Sequence, residues 1–107
     1  MDALIADFLR RSRSRYTADH VKQALSDNLS IVTEDGFICF NVVQDECYIL
    51  FFYVRPGVDA KPFLSAVEFH AKANNCTVMR FVTQRDKAFA RRFKDYHTAG
   101  TLFEKAL

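Results

Sequence analysis

The residues of this chain that could do covalent or acid–base chemistry are three cysteines, three histidines and scattered carboxylates. Cys39, Cys47 and Cys76 are widely spaced, form no CxxC, and each lies in or beside an apolar run. His20, His70 and His97 are equally scattered, so no pair has zinc-ligand spacing and no metal site is expected. No cysteine stands with a histidine and a carboxylate as a thiol enzyme needs. The thiols read as buried and free, in a reducing compartment. His70 falls on a helix rim and His97 at a helix end, where an imidazole caps or faces water. Glu46 is the one general-base candidate, and it is expected in a turn on a solvated face.

The elements that must position these groups follow from periodicity. Leu4, Ile5, Phe8 and Leu9 give Asp2–Arg13 a narrow helical stripe. Thr17 is suited to N-cap a second helix that carries Val21, Ala24 and Leu25 on one face and ends near Asn28. Leu29–Thr33 is a short strand, Glu34-Asp35-Gly36 a turn, and Phe37–Val43 a strand with Phe37 and Cys39, and by the same alternation Asn41, on one side. Gln44-Asp45-Glu46 is a second turn. Tyr48–Val54 is apolar on both faces, so it belongs in the middle of a sheet. Three strands on short turns predict an antiparallel meander.

Ala60–Asn74 is the strongest helix, with Phe63, Val67, Phe69, His70 and Ala71 at core and rim positions and Glu68 paired to Lys72 outside. Thr77–Val82 is a strand reached by crossover, which favours parallel pairing. Arg85–Tyr96 reads as a helix and Thr101–Glu104 as a last strand. The order is ααβββαβαβ, an α+β domain with a mixed central sheet and helices on both faces. Phe51, Tyr53, Phe63, Val67, Phe81 and Phe93 are its predicted core.

Length limits the 107 residues to one domain, residues 1–107. With 50% hydrophobic residues and eleven Phe a compact core is affordable, so disorder is not expected beyond the termini. No apolar run reaches membrane-spanning length, and no basic stretch precedes an apolar one at the N-terminus, so neither membrane nor secretion is expected. Net charge is only +2 but is unevenly spread: +1 over residues 1–28, −4 over 29–59 and +5 over 60–107. Helical spacing puts Lys87, Arg91 and Lys94 on a common face, a basic patch able to meet phosphates or an acidic protein.

Arg55-Pro56-Gly57-Val58-Asp59-Ala60-Lys61-Pro62-Phe63-Leu64 joins the central strand to the strongest helix. A strand ending Tyr53-Val54 with Pro56 two residues on, Leu64, Val67 and Ala71 in the next helix, and the tail Phe93-Lys94 to Gly100-Thr101-Leu102-Phe103-Glu104-Lys105-Ala106-Leu107 together resemble a GNAT-type N-acyltransferase. The element order resembles that fold without its usual first and last strands. The resemblance implies that this turn is where the family cradles the pyrophosphate of acetyl-CoA, in an Arg/Gln-x-x-Gly-x-Gly/Ala pattern. Here Asp59, Pro62 and Leu64 take the Arg/Gln and the two Gly positions. A carboxylate, a lost N–H and an added side chain all oppose a phosphate. The family's acid, a helix Tyr, corresponds to Phe93, with Tyr96 one turn later.

The resemblance therefore implies a small, degenerate GNAT-like domain, a pseudoenzyme acting through protein contacts. Stripped-down versions of the fold serve as accessory or structural proteins, including in phages, so the cytoplasm or a virion is the expected location. A missing final strand would leave a sheet edge for dimerisation or a partner. The alternative is an active, divergent acetyl-CoA-dependent N-acetyltransferase, with Val54, Arg55, Ala60 and Lys61 at the cofactor and Tyr96 or Glu46 as its weak catalytic candidates. A nucleic-acid binder using the basic patch is the remaining alternative; no reader motif supports it.

Overall fold

A computed structural model describes residues 2–12, 16–82, 97–99 and 102–107. Its elements are α1 (Asp2–Ser12), α2 (Ala18–Asp27), β1 (Leu29–Thr33), β2 (Gly36–Val43), β3 (Glu46–Val54), α3 (Lys61–Ala73), β4 (Val78–Val82), β5 (His97–Ala99) and β6 (Leu102–Ala106). The expected helix Arg85–Tyr96 lies outside the described residues, and with it Phe93, Tyr96 and the patch Lys87, Arg91 and Lys94.

The six strands form one sheet in the order β1-β2-β3-β4-β6-β5. β3 and β4 are parallel and every other pair is antiparallel, so the sheet is mixed. Helix α3 makes the crossover between β3 and β4, as a parallel pair requires. The chain ends in a β5–β6 hairpin where a single last strand was expected. His97 opens β5. Among the described residues the edge strands of the sheet are β1 and β5.

Two clusters of apolar side chains hold the sheet between helices. On one face Ile38, Phe40, Cys47, Ile49, Met79 and Phe81 pack under Phe63, Leu64, Val67 and Ala71 of α3. On the other, Phe37, Cys39 and Tyr53 pack under Leu4 and Ile5 of α1 and Val21 and Leu25 of α2. Alternation along β2 sends successive residues to opposite clusters, the expected period of two. Of the predicted core, Tyr53, Phe63, Val67 and Phe81 are buried. Phe51 is only half-buried, at the rim beside Phe8 and Tyr16.

Local chemistry explains the element ends. Thr17 N-caps α2, its Oγ1 accepting from the His20 N–H at 3.2 Å. Lys105 Nζ donates to Glu68 at 3.1 Å, tying α3 to β6, whereas the sequence pairs Glu68 with Lys72. Gln44 turns β2 into β3 at φ 57, a left-handed conformation that its side chain does not advertise.

Cys39, Cys47 and Cys76 are all buried and free. Burial pushes Cys39 and Cys47 up to about 11 and raises Cys76. Thiolate is the reactive form, so at neutral pH these groups are almost wholly inert. Alkylation of native protein should be slower than of urea-unfolded protein by on the order of a thousandfold. Equal rates for native and unfolded protein would contradict the packing of all three.

Candidate functional site

The turn after β3 and the start of α3 are built by short-range bonds that use up donors. The Arg55 N–H donates to Asp35 O at 2.8 Å and the Val58 N–H to Arg55 O at 3.1 Å. Gly57 takes φ 84, which a turn at that point requires and glycine accepts without strain. The Lys61 N–H donates to Asp59 Oδ1 at 3.0 Å, and Pro62 has no N–H. Asp59 thus sets its carboxylate on the positive end of α3, the place a phosphate oxygen would occupy. Phe63 and Leu64 turn inward and are buried in the α3 cluster. Proline in the first turn suits the helix, so the same residues that remove donors also start α3 well. Gly57, Asp59, Ala60 and Phe63 keep amides without a partner among the described residues.

The four residues expected at a cofactor differ in exposure. Arg55 and Lys61 are exposed, Ala60 is buried, and Val54 is half-buried against the α3 cluster. Arg55 and Pro56 instead face α1 across a shallow hollow lined also by Ala3, Leu4 and Asp7. Asp7 closes that side. Its carboxylate accepts from the Tyr53 hydroxyl and from Arg10, and from Arg11 Nε at 3.1 Å. Desolvation works against the charged form of Asp7, but the bonds from Arg10 and Arg11 outweigh it and hold the carboxyl below the usual aspartate range.

A second feature lies along β3. Its pairing with β4 covers only Glu46–Ile49 against Val78–Phe81. The β2–β3 register slips between Cys39 and Phe40, whose partners are Phe51 and Ile49, so Leu50 is the extra residue of a bulge. Beyond it, Leu50–Val54 has no strand on the β4 side among the described residues.

On the α1–α2 side of β3 and β4 sits a polar cluster. Glu46 opens β3 and is not in the expected turn. Its carboxylate accepts from the Tyr48 hydroxyl and pairs with Arg80 of β4. Arg80 Nη1 also approaches the Tyr48 hydroxyl at 3.3 Å, with its guanidinium over the Tyr48 ring at 6.0 Å. Asn41, opposite Tyr48, buries its Oδ1 without a partner among the described residues. Register continues the row, with Glu104 opposite Arg80 and His97 opposite Glu104. Tyr48 was not a candidate from the sequence, and neither Asn41 nor Arg80 was expected beside Glu46. An Arg amid the apolar run Val78–Val82 was the available signal, because a charge inside a central strand needs a partner. Among the described residues no group of carboxylates, thiols and imidazoles could hold a metal.

The architecture is GNAT-like: helices before a meander, a bulged third strand with a parallel neighbour, a crossover helix between them and a closing hairpin. PaiA N-acetyltransferase from Thermoplasma acidophilum, solved with coenzyme A, matches with a TM-score of 0.69 at 15% identity, over 99% of this chain and 90% of that one. A GNAT-family acetyltransferase from Staphylococcus aureus matches with a TM-score of 0.68 at 9% identity, over 99% and 92%. The anti-CRISPR protein AcrVA5 matches with a TM-score of 0.58 at 18% identity, over 74% and 98%. At these identities the likeness shows the fold, and the fold is GNAT-like. No family model and no curated protein matches the sequence.

Proposed function

We propose that this chain is a degenerate GNAT-fold domain that transfers no acyl group and works through protein contacts. The observation that carries the proposal is the Asp59 carboxylate on the Lys61 N–H, an internal anion at the start of α3. Pro62 removes the neighbouring donor and Leu64 fills the core. The +5 of residues 60–107 against the −4 of 29–59 gives the surface unlike regions suited to protein contact. The match to an anti-CRISPR protein supports an accessory role. Among the described residues no helix is long and apolar enough to cross a membrane.

The second reading is an active acetyltransferase. Its support is the end of the β3–β4 pairing at Ile49 and Phe81, together with the open amides of Gly57, Asp59, Ala60 and Phe63 and the nearby Arg55 and Lys61. Thermal unfolding with acetyl-CoA separates the two readings. No shift is expected. A ligand at about 100 times its Kd stabilises by about 2.7 kcal/mol. For a domain of this size that is a rise of more than about 10 °C, which would establish the second reading instead.

A further inference from the structure

β1 closes one end of the sheet, and no described residue pairs with its outer edge. Proteins usually guard such an edge with a charge, a proline, a bulge or a covering loop. The sequence Leu29-Ser30-Ile31-Val32-Thr33 carries neither charge nor proline. Its register against β2 runs unbroken from Leu29↔Phe40 to Thr33↔Gly36. Leu29 and Val32 are 42% and 41% exposed.

The register also fixes which backbone groups point outward. Thr33 and Gly36 flank a two-residue turn and so form a hydrogen-bonded pair. By alternation Thr33, Ile31 and Leu29 direct their N–H and C=O groups to β2. Ser30 and Val32 direct theirs away from the sheet. Two outward residues, symmetric about Ile31, are what antiparallel pairing with an identical strand requires.

In that arrangement Ser30 of each copy meets Val32 of the other, and the two hydrogen-bonded pairs exchange four N–H···O bonds. Ile31 meets Ile31 on the two-fold axis, flanked by Leu29 against Thr33. Exposed Leu29 then lies against Thr33, and exposed Val32 against Ser30, of the other copy. No like charges are opposed within the strand. Glu34, the first charge beyond it, falls opposite Asn28. A net charge of +2 gives little overall repulsion between copies. We infer that β1 pairs antiparallel with β1 of a second copy, centred on Ile31, so that one sheet runs through a two-fold dimer. This gives the contact function proposed above its first partner and rests on that reading for its role.

Sedimentation equilibrium up to about 100 µM tests the pairing directly. Wild type should be a dimer. Val32→Pro removes an outward N–H at an edge position where proline is compatible with the folded strand. Val32→Lys adds the missing guard charge. Both should leave the circular dichroism unchanged and weaken self-association by about a hundredfold or more. If Val32→Pro disturbs the fold, Val32→Lys decides. Register is read by cross-linking, for which the buried native thiols give little background. Ile31→Cys should oxidise to a covalent dimer, because wide antiparallel pairs hold Cα atoms about 4.5 Å apart. Ser30→Cys, which faces Val32, should not.

A monomeric wild type, a dimer that survives both Val32 variants, or equal cross-linking at positions 30 and 31 would each overturn the inference. Acetyl-CoA binding is scored separately in wild type and Val32→Lys. A dimer that binds acetyl-CoA refutes the contact-only function, and a monomer that does not bind it refutes the pairing.

Discussion

Phe37→Ala should lower stability by about 3–5 kcal/mol and leave the domain largely unfolded at 37 °C. Phe37 is among the largest fully buried side chains in the molecule. It sits on β2 under α1, with Phe8 edge-on at 5.5 Å and Tyr53 tilted at 6.0 Å. Truncation removes the ring that three elements share and leaves a cavity that a sheet and two helices cannot close together. Other phenylalanines supply the internal scale. Phe51, half-buried at the rim of the same cluster, should cost roughly half as much. Phe69 on α3 is 78% exposed, and Phe69→Ala should stay within about 0.5 kcal/mol of wild type. Urea titration of the three variants gives the order. Equal midpoints for Phe37→Ala and Phe69→Ala would mean that the α1–α2 cluster is not a core.

Most of the fold was legible because its signals are local. The period of two in Phe37–Val43, the apolar run ending at Val54 and the Thr17 cap each name their own element. What failed depended on tertiary placement. Phe51 lies in an apolar run, and nothing in that run shows that α1 and α2 stop short of covering it. The slip that makes Leu50 a bulge exists only in the pairing of β2 with β3. Glu46 was placed one residue inside a turn, although β3 begins there and carries its carboxylate to Arg80, 34 positions away. The closing hairpin was read as one strand because His97-Thr98-Ala99 carries no β-branched or aromatic run.

At the turn the opposite held. Asp59, Pro62 and Leu64 could be judged against a phosphate from their chemistry alone. The structure added the bond that makes the judgement physical, from the Lys61 N–H to the Asp59 carboxylate. Helix start and anion seat are the same backbone groups. A residue that caps α3 from within therefore competes with any ligand for them. Asp59 and Pro62 are compatible with the start of α3, and Phe63 and Leu64 add to its core.

Gly36→Ala should be the most damaging small substitution in the chain, costing about 3 kcal/mol or more. A Cβ built on Gly36 would lie 2.3 Å from Tyr53 O and 2.9 Å from Val54 Cα. Both are backbone atoms of β3, so no side-chain rotation relieves the clash. The pair Gly36↔Val54 must open, and with it the place where β1, β2 and β3 meet. The Asp35 carbonyl that accepts from Arg55 would move as well, loosening the turn that leads into α3. Gly57 makes the contrast. Nothing lies within 4 Å of a Cβ there, and its requirement is φ 84 alone. Gly57→Ala should therefore cost only about 1 kcal/mol, the strain of a left-handed alanine. Thermal melts of the two variants separate spatial from conformational need. A Gly36→Ala protein that melts with wild type would show that β2 and β3 do not approach as closely as the sheet described here requires.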